Sequence, residues 1–134
     1  MPTFSSVRVL VVDDFKPFRR FICSTLGERP DLQVIGEASD GLEAVRMAGE
    51  LKPDLIVFDI ALPTLNGLEA ARKLAPDSKI VFVSQESSPD IVQEALNFGG
   101  RGYVVKTRAA KDLLAAIETV LEGRQFVSPG LLSY

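Results

Sequence analysis

The sequence predicts an α/β domain built on a doubly wound parallel sheet, and three observations predict it. Short runs of Val, Ile, Leu and Phe are uniform enough to read as strands buried on both faces, under helices. They alternate with amphipathic segments at a period of roughly 20 to 25 residues, the strand–helix order that such a sheet requires. Four of the runs also end on a reactive polar residue. Val7–Val12 leads into Asp13 and Asp14, Leu55–Phe58 into Asp59, residues 80–83 into Ser84, and residues 103–105 into Lys106. In an open parallel sheet the ligand crevice lies outside the carboxyl ends of the strands. Three carboxylates, a hydroxyl and an ammonium are therefore expected in one pocket, a set suited to metal-assisted chemistry of a phosphoryl group.

The elements follow in order. Val7–Val12 is the first strand, and residues 15–26 form a helix with Phe18, Phe21, Ile22, Thr25 and Leu26 at helical spacing and Gly27 just beyond. Leu32–Ala38 is a mixed strand whose Gln33 and Glu37 place it at a sheet edge. Asp40 opens the second helix by capping its first amides. Glu43, three residues on, returns the bond, and Pro53 ends the helix. Residues 54–59 form the central strand, followed by the loop 60–65. Asn66, Gly67, Leu68 and Glu69 open a third helix that Pro76 closes, and Lys79–Ser84 is the fourth strand.

Ser88, Pro89 and Asp90 start the fourth helix, with proline in its first turn and an acid near the positive end of its dipole. Phe98, Gly99 and Gly100 end it, and residues 102–105 are the fifth strand. Ala110, Leu113, Leu114, Ile117, Val120 and Leu121 form the apolar stripe of the last helix, capped by Gly123. Right-handed crossovers alone leave the strand order open. The strands that carry the polar residues must be neighbours and the mixed second strand must lie outside them, which the order 2-1-3-4-5 satisfies. Residues 126–130 turn irregular and read as a linker. The expected division is an N-terminal extension over 1–6, one domain over 7–123, and the start of a C-terminal linker over 124–134.

Composition removes several classes of function. A chain of 134 residues is one domain, and 46% hydrophobic with 25% charged residues is ordinary globular composition. No apolar run approaches the ~20 residues that span a bilayer. Residues 1–6 have neither the basic start nor the apolar core of a signal peptide, so no membrane partner and a cytoplasmic location are expected. The net charge of −3 with dispersed basic residues argues against nucleic acid as a direct ligand. The absence of histidine removes Ser-His-Asp catalysis and histidine metal sites. Cys23, the sole cysteine, excludes an internal disulfide or zinc cluster and reads as a small residue beside the first helix's apolar stripe.

Carboxylates are left as the chief chemical resource. Asp13, Asp14 and Asp59 supply the hard oxygen ligands that Mg²⁺ prefers, and a divalent cation relieves their mutual repulsion. Asp59 can also serve as a nucleophile and become an acyl phosphate. Lys106 would neutralise charge on the incoming phosphoryl group and Ser84 would donate a hydrogen bond to it. Each residue alone has an ordinary explanation: a strand-end aspartate or Ser84 as a cap, Lys106 as a solvated lysine, Tyr103 as a half-buried strand aromatic. The joint pattern at four strand ends is what points to chemistry.

At these positions the chain resembles the receiver domain of a bacterial two-component response regulator, over about residues 7–123. The acidic pair Asp13-Asp14 carries the resemblance, as do Asp59 with Pro63 and Gly67 at the family's spacing, Ser84, and Tyr103 three residues before Lys106. It implies a flavodoxin-like (βα)5 fold with Asp59 as phosphoacceptor. It further implies Mg²⁺ held directly by Asp14, Asp59 and the backbone carbonyl of Ala61, with Asp13 acting largely through water. Lys106 and Ser84 would hold phosphoryl oxygens, while Ser84 and Tyr103, whose ring turns inward, would switch the face made by the fourth helix, fifth strand and fifth helix. Such a chain catalyses only its own phosphorylation and dephosphorylation.

The implied donor is a sensor histidine kinase docking on the first helix, where Lys16, Arg19 and Arg20 could steer an acidic partner. A phosphorylation-dependent homodimer is compatible with the family. Residues 102–106 and 126–129 resemble the NarL/FixJ-type regulators, in which a helix-turn-helix output domain follows, so DNA would be reached only through a domain not in this chain. Gln85, bulkier than the residue many receivers have there, would hinder small phosphodonors. Many receivers have proline after the lysine and often a cis bond; a cis Lys106–Thr107 bond would cost ~3–4 kcal/mol. Three rival readings are a degenerate receiver acting only as an interaction module, a dehalogenase-type phosphohydrolase and a nucleotide-binding module. The second would need its nucleophile near the first strand, and the third has no glycine-rich cradle here.

Overall fold

A computed structural model describes residues 6–62, 67–74, 78–97 and 100–131. The strands are β1 (Val7–Val12), β2 (Leu32–Ala38), β3 (Leu55–Phe58), β4 (Lys79–Ser84), β5 (Gly100–Val105) and β6 (Phe126–Val127). The helices are α1 (Lys16–Leu26), α2 (Gly41–Leu51), α3 (Gly67–Lys73), α4 (Pro89–Asn97) and α5 (Ala109–Leu121), with a 3-10 turn at Lys106–Arg108 before α5. All pairings are parallel and the sheet order is β2-β1-β3-β4-β5-β6, which is the expected 2-1-3-4-5 core with one strand added. The expected helix signals at Asn66, Pro76, Phe98 and Gly99, and the loop signal at Pro63, fall outside the described residues.

Period-two alternation along the strands divides the core into two layers. Leu10, Val12, Ile56, Phe58, Ile80 and Phe82 face Ala44, Ala70, Val92 and Ala95 of α2, α3 and α4. Val9, Val11, Leu55, Val57, Val81 and Val104 face Ile22 and Leu26 of α1 and Leu113, Ile117 and Val120 of α5. The covered stretches of the central strands, Val9–Val12, Leu55–Phe58 and residues 80–83, are therefore apolar at every position, and polar side chains stand at the strand ends.

Local chemistry fixes the helix ends. The Asp40 carboxylate accepts from the Glu43 amide at 2.8 Å, while Glu43 Oε1 accepts from the Ser39 amide at 2.8 Å, one residue before the cap. Lys52 ends α2 in the left-handed region at φ 48°, one residue before Pro53. Lys79 donates to the carbonyls of Val120 and Leu121, placing a cation at the C-terminus of α5.

Two expectations are corrected. The stretch after Gly123 is not irregular: Phe126 and Val127 pair with Gly102 and Tyr103 as a sixth strand. The Ser128 amide donates to the Tyr103 carbonyl at 2.9 Å, and its hydroxyl donates to Asp112 at 2.8 Å while accepting from the Val105 amide at 3.2 Å. Arg108 also donates to Asp112, at 2.9 Å. The edge of β5 is thereby covered rather than left unpaired. The Lys106–Thr107 bond is trans, as are all described peptide bonds, because the chain turns directly into a 3-10 helix.

Ser128 is 1% exposed and Asp112 7%, so Ser128→Ala would leave a buried carboxylate and the Val105 amide each short of a partner. A loss of ~1–3 kcal/mol is expected. Denaturant unfolding checks it, and an unchanged midpoint would mean that water replaces the hydroxyl.

Candidate functional site

The site forms where β1, β3, β4 and β5 end side by side. The Asp13 amide donates to Ala38 at 3.1 Å and the Asp59 amide to Val12 at 3.0 Å, so the sheet ladder itself sets the height of both acids. Asp13 is fully buried and Asp59 nearly so, whereas Asp14 is exposed. Carboxylate oxygens of the three lie within 4.8 Å of one another. Asp13 Oδ1 accepts from the Phe15 amide at 2.8 Å, and Asp59 Oδ1 from the Ala61 amide at 3.1 Å.

Lys106 reaches in from the end of β5. Its Nζ lies 3.0 Å from Asp59 Oδ2, donating to it, and 2.9 Å from Asp13 Oδ2. The second approach is ionic but not aligned for a hydrogen bond, so Asp13 Oδ2 is a buried oxygen without one. Burial alone would lower the Lys106 pKa, but the two carboxylates beside it, Asp13 and Asp59, outweigh that and raise it. Burial pushes the Asp59 carboxyl up; Lys106 opposes this, and the charge of Asp13 adds to it.

Ser84, at the end of β4, is buried and its Oγ accepts from the Glu86 amide at 3.2 Å. Tyr103 is not half-buried but fully enclosed, with its hydroxyl donating to the Glu86 carbonyl at 2.7 Å. Burial pushes its phenol up to about 12, so the hydroxyl keeps its proton at neutral pH. Asp14, Asp59, Ala61, Ser84, Gln85 and Lys106 border a cleft of about 280 Å³, together with Phe15 and Glu86. A larger cleft of about 500 Å³ lies at the other end of the strands, beside Pro53 and Ser78, and among the described residues it has no such carboxylate cluster.

The carboxylates form a fitting site for a hard divalent cation. Three acids lie together while the Lys106 ammonium pairs with two of them, every donor is oxygen, and the buried Asp13 Oδ2 lacks a hydrogen bond. The structure thus brings Asp13, Asp14, Asp59, Ala61, Ser84 and Lys106 together, with Tyr103 one layer behind. Of the three basic residues on α1, Arg19 turns inward, pairing with Glu37 at 2.9 Å and donating to the Asp13 carbonyl at 2.8 Å, while Lys16 and Arg20 stay exposed. Sequence reasoning missed two parts. One is the Glu86 backbone, which joins Ser84 to Tyr103. The other is Phe18, whose ring centroid lies 4.5 Å from Lys106 Nζ. A backbone contact leaves no signal in a single sequence, and helical spacing marked Phe18 only as core.

Fold and pocket together define a flavodoxin-like protein with an acidic strand-end site facing a lysine. The family model for the response regulator receiver domain matches residues 9–118. The chain belongs to that family. It is 38% identical over 126 residues to the response regulator GacA of Pseudomonas viridiflava, covering 92% of this chain and 59% of that protein. It is 36% identical over 120 residues to the transcriptional regulatory protein LiaR of Bacillus subtilis, covering 87% and 57% respectively. The chain thus spans less than two thirds of these relatives. A two-component response regulator of the LuxR family from Aurantimonas sp. SI85-9A1 superimposes with a TM-score of 0.90 at 32% identity, covering 95% of this chain and 93% of that one. The receiver domain of a putative response regulator NarL from Mycobacterium tuberculosis gives 0.82 at 28% identity, covering 90% and 99%.

Proposed function

We propose that the chain takes a phosphoryl group from a sensor histidine kinase onto Asp59 and relays that event to an output domain. The observation that carries the reading is the setting of Asp59. Its carboxylate is fixed between the Ala61 amide at 3.1 Å and the Lys106 ammonium at 3.0 Å, on the wall of an open cleft with two further acids within reach. Asp14, Asp59 and the Ala61 carbonyl would hold Mg²⁺, with Asp13 behind them, and the ion supplies neutralisation of charge between carboxylates and phosphoryl oxygens. That Asp14 and Asp59 border the cleft while Asp13 lies beneath supports this division.

In the transfer, a carboxylate oxygen of Asp59 forms a bond to phosphorus as the bond from phosphorus to the donor imidazole breaks. The imidazole nitrogen keeps that electron pair and the group leaves as neutral imidazole, taking a proton from water. Lys106 and the Ser84 hydroxyl stabilise charge on the equatorial oxygens. Ser84 can donate through its own proton while still accepting from Glu86. A shift of Ser84 toward the phosphoryl group therefore pulls on Glu86, and Glu86 holds Tyr103. Tyr103 is already turned inward, so the message to the α4–β5–α5 face is a shift in a connected chain of bonds rather than a first burial of the ring. A cytoplasmic location, Mg²⁺ dependence and a DNA-binding output domain beyond this chain belong to the same reading.

The test is incubation with Mg²⁺ and a small acyl phosphate, read by intact mass, with Asp59→Ala alongside. One phosphoryl adduct on the parent and none on the variant is expected. Since Gln85 stands exposed at the rim, beryllium fluoride binding is measured on the same sample. Failure of both would overturn the phosphoacceptor reading in favour of a module that acts only by protein contact.

A further inference from the structure

We infer that Phe18 is a positioning residue for the Lys106 ammonium, an inference that rests on the reading of Asp59 as phosphoacceptor. Three groups hold Nζ: Asp59 Oδ2 at 3.0 Å, Asp13 Oδ2 at 2.9 Å, and the face of the Phe18 ring at 4.5 Å. A lysine ammonium is a point charge on a flexible four-carbon stem, so fixed neighbours decide where it rests. The two carboxylates cannot serve throughout a phosphoryl transfer. Phosphorylation at Asp59 spends the carboxylate charge that Nζ pairs with and places new negative charge on the phosphoryl oxygens, so the acidic partner of Nζ changes during the reaction. The Asp13 contact is unaligned for a hydrogen bond, and a cation held by the neighbouring acids would compete with Nζ for that carboxylate's charge.

The ring is different. Its attraction for a cation comes from the quadrupole of the aromatic face, which neither phosphorylation nor a metal removes. Phe18 is also well anchored. It is partly buried against the apolar layer beneath α1 and packs on Phe21 with ring centroids 5.5 Å apart. The Lys106 side chain is only 12% exposed, so little water competes at the contact. Phe18 thereby keeps the ammonium over the cleft before, during and after transfer, while its carboxylate partners change.

Phe18→Leu removes the ring and keeps an apolar side chain, whereas Phe18→Tyr keeps the ring. Both are made in the parent and in Lys106→Met, and phosphoryl uptake from a small acyl phosphate with Mg²⁺ is followed by intact mass long enough to register very slow reaction. In the parent, Phe18→Leu should slow uptake about tenfold, equivalent to ~1.4 kcal/mol in the barrier, and Phe18→Tyr should stay within about twofold. In Lys106→Met, Phe18→Leu should change the rate by less than about twofold, because the group it positions is gone. Uptake by Phe18→Leu at the parent rate overturns the inference. So does an equal slowing in both backgrounds, which would mark a packing role. Phe18→Met replaces the leucine variant if that fails to fold. A parent that neither takes up a phosphoryl group nor binds beryllium fluoride overturns the acceptor reading itself, a result distinct from either failure.

Discussion

Lys106→Met is expected to slow phosphoryl uptake at Asp59 by about 100- to 1000-fold, the scale of removing one preorganised donor from a developing charge. It is also expected to destabilise the metal-free chain by about 3 kcal/mol at neutral pH. Both effects have one origin. Lys106 is the cation paired with Asp13 and Asp59, whose side chains are 1% and 6% exposed. Deleting it strands two carboxylates in a poorly hydrated pocket, which is worse than never having built the pair. The stability deficit should depend on pH with a definite sign. Burial and the Asp13 charge already raise the Asp59 pKa, and the lysine is what opposes them. Without it the folded-state pKa rises further above the unfolded value, so native protein binds more protons than unfolded protein across the gap. Stability of the variant then falls as pH rises through that window and recovers on acidification. The deficit measured by denaturant unfolding should be smaller near pH 4 than at pH 7. Mg²⁺ should stabilise the variant more than the parent, since the site has lost its competing cation. A deficit independent of both pH and Mg²⁺ would show that Lys106 acts through packing of its stem.

What was legible in the sequence follows from which forces act locally. The four strand ends could be read because β1, β3, β4 and β5 are apolar wherever they are covered, so a polar residue can appear only where a strand leaves the sheet. Asp40 and Glu43 could be read because capping depends on residues three apart. β6 was illegible for the opposite reason. Phe126 and Val127 are too short a run to signal a strand, and Ser128 looks like a turn residue until Asp112, Val105 and Tyr103 are brought to it from elsewhere in the chain. Asp112 in turn reads as an ordinary acid in the first turn of α5, although Arg108 and Ser128 hold it in a buried position. Arg19 read as an exposed docking charge because its partner Glu37 lies on β2, eighteen residues away. Phe18 has the spacing of a core residue and is one in part. Only the position of Lys106, set by β5, gives the ring its second neighbour.

Phe82→Ala is expected to cost ~3–5 kcal/mol, a large share of the total stability of a small domain. Phe82 lies in the middle of β4 with no exposed surface. Its ring sits between those of Phe58, centroid 6.1 Å away, and Tyr103, at 6.5 Å. Its size is matched by an absence across the β4–β5 pair. A Cβ at Gly100 would come within 2.7 Å of the Phe82 ring and 2.8 Å of the Ala95 carbonyl oxygen. Glycine is required there by close approach rather than by backbone angle, since its φ is not in the left-handed region. Gly100→Ala alone should therefore destabilise by ~1–3 kcal/mol through overpacking. The two substitutions share one space, so their effects should not add. With the ring gone, two of the three nearest atoms to the new methyl group at position 100 are removed and the Ala95 carbonyl remains, so the double variant should be more stable than the sum of the single losses predicts. Relief should remain partial, because that carbonyl belongs to the backbone of α4 and cannot rotate away. Unfolding midpoints of the parent, both single variants and the double variant at constant m-value measure the coupling. Strict additivity would mean that the Ala95 carbonyl alone excludes a side chain at position 100.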